Sequence, residues 1–545
     1  MTSFDLTHEP WISVLDSDGH RRELSITELF HQAEDLREIV GEVPTQGFAI
    51  LRLLLAVLHR AVDGPKDVDD WVAIRDGWKQ TVGDVEHYLV ENRQRFDLRH
   101  TEAPFFQVAG LSTQKGDVAG LEKLIADVPN GNPFFTTRIG RGVALVSWAE
   151  AARWLVHVHA FDPSGLRPGA KGDPRRLNPN GTHPPIGTGW AGMLGGVFLR
   201  GRTVQETLLL NLVAPDEAGL ELRGEDLPVW ERHPQGPGPE GGLDGRQPTG
   251  PVDLYTWQSR RVRLVGDDAG VTGAVLTQGD RMTPQNRHRL EPLTAWRFSK
   301  PQTAKFKQDT YMPREHDPAR AMWRGLPGLL AGQDERTGIE PGVLRWASAL
   351  ELDGHLPAGT ITVQAVGIEY GPQSSTVGEL VHDHLDLPAE IVAHGDRSAA
   401  HLASRAVDQA RLAVNIVATL AQNLYLAAGG DTESDGPATR ARESAYDQLE
   451  GAFRRWVLTL SPDADVVERE TAWQVKAHAV ISRVGRDLAE AAGPAAMVGR
   501  TVRGRHLDLG LAEAWFRSGL RKTLPLSTLP ADTQADADNE EPHHE

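Results

Sequence analysis

The sequence predicts an α+β protein: a mixed α/β N-terminal globular domain followed by a C-terminal antiparallel four-helix bundle. Three observations predict it. The chain has 545 residues, more than a single hydrophobic core supports. Strand-like and helix-like apolar periods intermingle through roughly the first two thirds of the chain, whereas from residue 388 onward only the helical period persists. The expected domains are therefore residues 1–387 and 388–528, with an acidic tail at 529–545.

Thr7 to Val14 reads as a short strand, and Ser25-Ile26-Thr27-Glu28 before Leu29 and Phe30 reads as a capping box opening a helix. Phe48, Leu51, Leu54, Leu55 and Leu58 then recur at helical spacing, so Gln46 to about Ala61 is a buried helix. That apolar run is interrupted by Arg52 and is too short to span a bilayer. Beyond residue 160, glycine, proline and basic residues thicken into long loops, the places where function concentrates. Strands return at Leu254–Val265, Gly273–Thr277 and Thr360–Ile368. Four amphipathic helices follow: one through Ala406 to Leu424, one through Tyr446 to Leu460, one through Trp473 to Leu488, and one carrying Leu511, Trp515 and Phe516. The link Gly429–Arg440 is polar, and the tail from Ala531 lacks apolar periodicity and should be disordered.

The formal charge of −18 argues against a free-standing nucleic-acid binder, though not against a local basic site. With no cysteine there is neither disulfide nor thiolate metal site. The N-terminus lacks a basic segment followed by an apolar one, so no signal peptide or membrane partner is expected and the cytoplasm is the expected compartment.

Gly187-Thr188-Gly189-Trp190-Ala191-Gly192 spells G-x-G-x-x-G, and Gly195-Gly196 follows. A dinucleotide site needs a buried strand entering the first glycine and a helix opening at the third. Here Pro184-Pro185 precedes the motif, and adjacent prolines cannot serve a sheet ladder. A nucleotide-binding enzyme using residues 187–192 therefore stands only as an alternative, beside a purely structural helical adaptor. Neither a phosphate-binding loop of the G-x-x-x-x-G-K type nor a G-x-S-x-G elbow is present. The pairs His157/His159 and His382/His384 lack further ligands at recognisable spacing, and His543-His544 lies in the tail. No catalytic residue, metal or cofactor is expected.

Several short stretches, in order, resemble the large subunit (CasA type) of the type I-E CRISPR Cascade surveillance complex. They are Glu9-Pro10-Trp11-Ile12-Ser13-Val14, then Glu102-Ala103-Pro104-Phe105-Phe106-Gln107 with Ala103 in place of the family's usual histidine, and Asn132-Pro133-Phe134-Phe135. Ile186-Gly187-Thr188-Gly189-Trp190, Leu208-Leu209-Leu210-Asn211 and Gly371-Pro372-Gln373-Ser374 complete the set. The resemblance implies a non-catalytic subunit that inspects a short motif in duplex DNA from the minor groove while guide RNA reads the target. Ile186, Gly187, Thr188 and Gly189 would form its glycine loop, and Gln373, flanked by Pro372 and Ser374, its strand-separating wedge. A basic finger is implied between them, for which Arg281 is the first choice and Arg287 the alternative. Residues 281–307 hold seven basic side chains against the single acid Glu291, a plausible phosphate footprint. Lys171, Arg175, Arg176 and Arg289 are further phosphate candidates. Asn132, Phe134 and Phe135 would anchor a loop on the guide RNA and neighbouring subunits. The implied partners are double-stranded DNA, CRISPR guide RNA, the backbone, 5′-handle-binding and small subunits, and a helicase-nuclease.

Overall fold

A computed structural model describes residues 3–128, 143–243, 245–330, 338–356, 359–392, 397–461 and 464–528. Asn132, Phe134, Phe135 and the acidic tail lie outside the described residues. The chain divides into two compact units, one formed by Met1–Met322 with Ala331–Leu385, the other by Trp323–Leu330 with Asp386–Glu545. The protein is α+β, its strands concentrated in the first unit.

The first unit opens with a three-stranded antiparallel sheet in which β1 (Ile12–Asp16) lies between β2 (Arg21–Leu24) and β3 (Leu36–Ile39). Between β2 and β3 runs α1 (Ile26–Gln32), whose start is fixed locally. The Glu28 amide donates to Ser25 Oγ at 3.2 Å and the Ser25 amide donates back to Glu28 Oε2 at 2.9 Å, so two orphan donors are satisfied reciprocally.

The core is built on α2 (Pro44–Val62), with every residue from Phe48 to Leu58 buried. The helix has 19 residues, longer than its apolar run implied and by length and composition enough to cross a membrane, but most of it is buried inside this protein. It packs against α4 (Trp78–Asn92) and α5 (Trp148–Phe161), with α3 (Val68–Asp76) preceding α4. Arg52, which breaks the apolar run, finds its partner far away in sequence. Its Nη1 and Nη2 donate to the two Glu291 oxygens at 2.9 and 2.8 Å, both side chains being buried. A fork-on-fork pair of this kind makes a charge tolerable in a core.

After α5, β4 (Arg167–Pro168) and β5 (Thr182–His183) form a short antiparallel ribbon. β6 (Gly196–Arg200) leads into α6 (Val204–Asn211) and pairs antiparallel with β12 (Thr360–Tyr370), which also pairs with β13 (Val377–Pro388). The expected strand from Leu254 is corrected. Pro251 at a helix start makes α7 (Pro251–Tyr255) a helical turn. The strand β7 begins only at Arg260, runs to Asp267 and pairs antiparallel with β8 (Gly270–Gln278). β9 (Trp296–Phe298) lies between β10 (Tyr311–Pro313) and β11 (Gly338–Ile339). α8 (Lys300–Phe306) follows β9 and α9 (Gly342–Leu352) follows β11.

In the second unit, α10 (Ala389–Val392) precedes α11 (Arg397–Ala427), which packs against α12 (Gly436–Val457), α13 (Val466–Glu490) and α15 (Leu509–Thr523). Leu449, Phe453, Trp473 and Ile481 are buried, as their helical spacing requires. Trp323 also belongs here, stacked on Phe453 with ring centroids 4.7 Å apart. The structure differs from expectation in three respects. α12 already starts at Gly436, inside the anticipated polar link, and Trp515 stands exposed while Phe516 is buried. A short helix α14 (Gly493–Val498) and a hairpin of β14 (Arg500–Val502) with β15 (Arg505–Leu507) separate the last two long helices.

Three histidines in the first unit, His157 and His159 buried and His59 half-buried, make a prediction about acid. Burial pulls His59 to about 4 and both His157 and His159 to about 3, against an ordinary value of 6.5. Between those limits the unfolded chain binds protons that the folded chain refuses, so stability rises with pH in that window and falls on acidification. Each group contributes a slope of up to about 1.4 kcal/mol per pH unit. Thermal unfolding from pH 7 down to 4.5 should show a steep loss, and His157→Gln should flatten it by about one proton's slope. An unchanged slope in that variant would remove His157 from the account.

Candidate nucleic-acid interface

The site is organised by the end of α5. This helix is capped at its start by Ser147, whose hydroxyl accepts from the Glu150 amide, and it terminates at Asp162, where the chain turns extended. Asp162 is buried, and its Oδ2 receives the Arg167 guanidinium at 2.6 Å together with Nε of Arg260. Burial pushes the Asp162 carboxyl up, but the Arg167 and Arg260 charges more than reverse this and hold it below the ordinary 3.8. Arg260, at the start of β7 and itself 1% exposed, directs Nη2 at the carbonyls of Pro163 (3.0 Å) and Gly187 (2.9 Å).

The glycine loop is laid against this node. The Gly189 amide donates to the Asp162 carbonyl at 2.9 Å, and a Cβ at Gly189 would lie 2.4 Å from the Ala160 carbonyl carbon and oxygen. Gly192, Gly195 and Gly196 are likewise pressed against Tyr370, the Arg314 carbonyl and the Val366 carbonyl of this same unit. The bareness of these four glycines is therefore required by internal packing. Gly187 differs: its φ of +104° needs glycine, and a Cβ there would meet only the mobile tip of Met193. Within the loop, Pro184 and Pro185 are exposed, Ile186 and Gly187 half-buried, and Thr188 and Gly189 buried. The surface offered outward is thus Pro184–Gly187, two residues upstream of the anticipated stretch. At the third glycine the chain makes only a three-residue 3₁₀ turn, Ala191–Met193, so no helix amides face a pyrophosphate.

Gly371–Thr376 forms the tip of the β12–β13 connection, with Pro372 and Gln373 exposed and Ser374 half-buried. Gln373 and Ser374 both hold left-handed backbone, at φ 58° and 54°, a conformation that disfavours side-chain-bearing residues. The tip is secured internally by the Ser374 amide on the Gly371 carbonyl (2.9 Å) and the Ser375 hydroxyl on the Pro372 carbonyl (2.8 Å). It is tied to the α5 terminus by the Ser164 amide, which donates to the Ser374 carbonyl at 2.8 Å, and by the Tyr370 hydroxyl, which donates to the Phe161 carbonyl at 2.6 Å. The two loops proposed from sequence, Gly189 and Gln373 lying 184 positions apart, meet on one short segment.

The basic candidates separate clearly. Arg281 is exposed, three residues beyond the end of β8, and β8 reaches the site through Gln278, whose Nε2 donates to the carbonyls of Gly165 (2.9 Å) and Pro184 (3.1 Å). Arg287 is corrected: it is buried, with donors directed to the Thr283 carbonyl, Thr283 Oγ1 and Gln247 Oε1. Burial pulls its pKa to about 10. Arg175 is corrected too, since it grips Asp173 and the carbonyls of Gln278 (2.6 Å) and Gly279 (2.9 Å) and so holds its own loop down. Lys171 and Arg176 are exposed, and Arg289, also exposed, pairs with Glu221. Arg297, Lys300, Lys305 and Lys307 stand exposed on β9 and around α8, and among the described residues none is paired with a carboxylate. His157 and His159 are bonded inside the fold, to Thr45 Oγ1 and the Phe106 carbonyl, and His382 to Gln364.

Sequence reasoning missed Asp162, Arg167 and Arg260. One signal was available: Arg260-Arg261 places two adjacent arginines in a strand-like run, and both are buried, the second on Asp280 at 2.9 Å.

The fold matches that of CRISPR-associated proteins. The family model described as CRISPR-associated protein Cse1 matches residues 5–484. CRISPR-associated protein CasA/Cse1 of Thermus thermophilus is 31% identical over 379 residues, 67% of this chain and 68% of the relative. The crystal structure of Thermobifida fusca Cse1 superposes with a TM-score of 0.88 at 45% identity, covering 96% of this chain and 99% of that one. A chain of a CRISPR RNA-guided surveillance complex shares the fold at TM-score 0.66 and 18% identity, over 95% of this chain and 100% of its own. The chain belongs to the Cse1 family, the CasA-type large subunits.

Proposed function

We propose that this chain is the non-catalytic large subunit of a type I-E RNA-guided surveillance complex, which reads a short motif in duplex DNA and begins strand separation beside it. The observation that carries this reading is the joint anchoring of the glycine loop and the Gln373 tip on Asp162–Ser164. A groove-reading loop and a wedge must meet one duplex at a fixed spacing, and a shared anchor supplies it. Pro184–Gly187 is the surface for the minor groove, and Arg281 the cation for its electronegative floor. The exposed Arg297, Lys300, Lys305 and Lys307 contact phosphates of the same duplex. Gln373 enters the base stack, where unstacking costs a few kcal/mol that groove and phosphate contacts offset.

The second unit acts as an antiparallel four-helix bundle of α11, α12, α13 and α15, supporting the opened DNA beside other subunits. Guide RNA supplies sequence recognition and a separate helicase-nuclease supplies cleavage. The charge of −18 fits such a part, because a subunit held by a ribonucleoprotein does not need strong affinity for bulk DNA.

The test uses the complex assembled with guide RNA and a duplex carrying 2-aminopurine next to the motif. Gln373→Ala should assemble and bind duplex as the parent does, yet open it about tenfold more slowly, equivalent to about 1.4 kcal/mol of lost wedge contact. Opening at the parental rate would sink the wedge assignment.

A further inference from the structure

We propose that Arg260 is a positioning residue that fixes where strand opening begins relative to the motif, an inference that rests on the function proposed above. Arg260 is not itself part of the exposed surface and meets the loop only at the Gly187 carbonyl. It is buried, and its one guanidinium ties two separate segments of chain, Asp162–Pro163 and Gly187, to β7. Its Nε meets the Asp162 carboxylate, and its Nη2 holds the Pro163 and Gly187 carbonyls. Pro163 is followed by Ser164, whose amide holds the Ser374 carbonyl next to Gln373. From the reading loop to the wedge there is thus a continuous path, of hydrogen bonds and the one peptide bond between Pro163 and Ser164: Gly187, Arg260, Pro163, Ser164, Ser374.

Two further bonds brace that path on either side. Gly189 donates to the Asp162 carbonyl on the loop side, and Tyr370 donates to the Phe161 carbonyl on the wedge side. A lysine at 260 has one compact ammonium and cannot serve the carboxylate and two carbonyls with the planar fork that arginine presents. Without it the Gly187 carbonyl loses its tie to the segment that carries the wedge, while each loop keeps its internal bonds. The expected defect is loss of registration, with groove reading and wedge each intact.

The experiment compares the parent, Arg260→Lys and Tyr370→Phe in the assembled complex. Arg263→Lys is the control, because Arg263 lies on the same strand but donates to the Leu111 carbonyl, away from the node. Duplexes carrying 2-aminopurine at successive positions report where opening starts, and cognate against single-mismatch motifs report discrimination. For Arg260→Lys and Tyr370→Phe we expect opening spread over neighbouring positions and a ratio of cognate to mismatch opening rates reduced about tenfold. Arg263→Lys should behave as the parent. A merely structural role would lower thermal stability and binding but leave position and ratio alone. If Arg260→Lys does not fold, Tyr370→Phe decides, since it removes one hydroxyl and keeps the ring. Parental position and ratio in a folded variant would overturn the inference, whereas absence of motif dependence in the parent itself would overturn the function on which it rests.

Discussion

Glu291→Leu is expected to destabilise the first unit by about 3–5 kcal/mol, the usual consequence of stranding one partner of a buried ion pair. The carboxylate has four donors in the structure. Both Arg52 terminal nitrogens reach it, the Trp190 indole N–H donates to Oε2 at 2.7 Å, and the Leu293 amide donates to Oε1 at 3.1 Å. Removing it leaves a buried guanidinium with the Leu254 carbonyl, at 3.3 Å, as its remaining acceptor. It also frees Trp190, the residue that follows Gly189, so the reading loop should loosen along with the core. Combining the change with Arg52→Met removes the stranded charge and should restore most of the loss, leaving about 1–3 kcal/mol for the unsatisfied Trp190 and Leu293 donors. Denaturant unfolding of the parent, both single variants and the double variant measures this. A Glu291→Leu protein within about 1 kcal/mol of the parent would show that the pair is not holding the core.

Gly189→Val is the second large effect, with an expected loss of about 3 kcal/mol or more from overpacking against backbone. A Cβ there would stand 2.4 Å from the Ala160 carbonyl atoms and 2.6 Å from the Phe161 nitrogen, and backbone at a helix end cannot step aside as a side-chain tip can. The Gly189–Asp162 hydrogen bond would go with it. Gly187→Ala should be milder, about 1–2 kcal/mol, since only the positive φ and the movable tip of the Met193 side chain oppose it. Thermal unfolding should rank them in that order, and an equal effect at both positions would contradict the packing described. The ranking matters for function: a bulky residue at 189 tests the fold, whereas one at 187 tests the surface proposed to face DNA.

Features set by local chemistry were legible in the sequence. The Ser25–Glu28 capping box, the buried helix from Phe48 to Leu58 and the long helices after residue 397 all rest on spacings within a few turns. Arg52 was visible only as an interruption and Glu291 only as a lone acid in a basic stretch. They pair across 239 residues, a relation no local period contains. The same limit applies at the site. Composition marked the glycine cluster and the family resemblance marked Gln373, yet neither could tell that Gly189 is bare for Ala160 or that Arg287 and Arg175 serve their own loops while Arg281 faces out. The α7 turn shows a local signal overlooked: Gly250-Pro251 is a helix start, and the apolar run after it was read as strand.

The eight residues Trp323–Leu330 belong with Asp386–Glu545, although Ala331–Leu385 returns to the first unit. A ribosome therefore completes the second unit from two instalments, and the early one waits through the synthesis of β12 and β13. A fragment started at residue 386 lacks Trp323, whose ring covers Phe453, and should expose that aromatic cluster and aggregate. Exchange of this unit between relatives, in the laboratory or by recombination, has to carry both pieces. A single crossover near residue 386 would splice most of a foreign second unit onto a resident segment made for another.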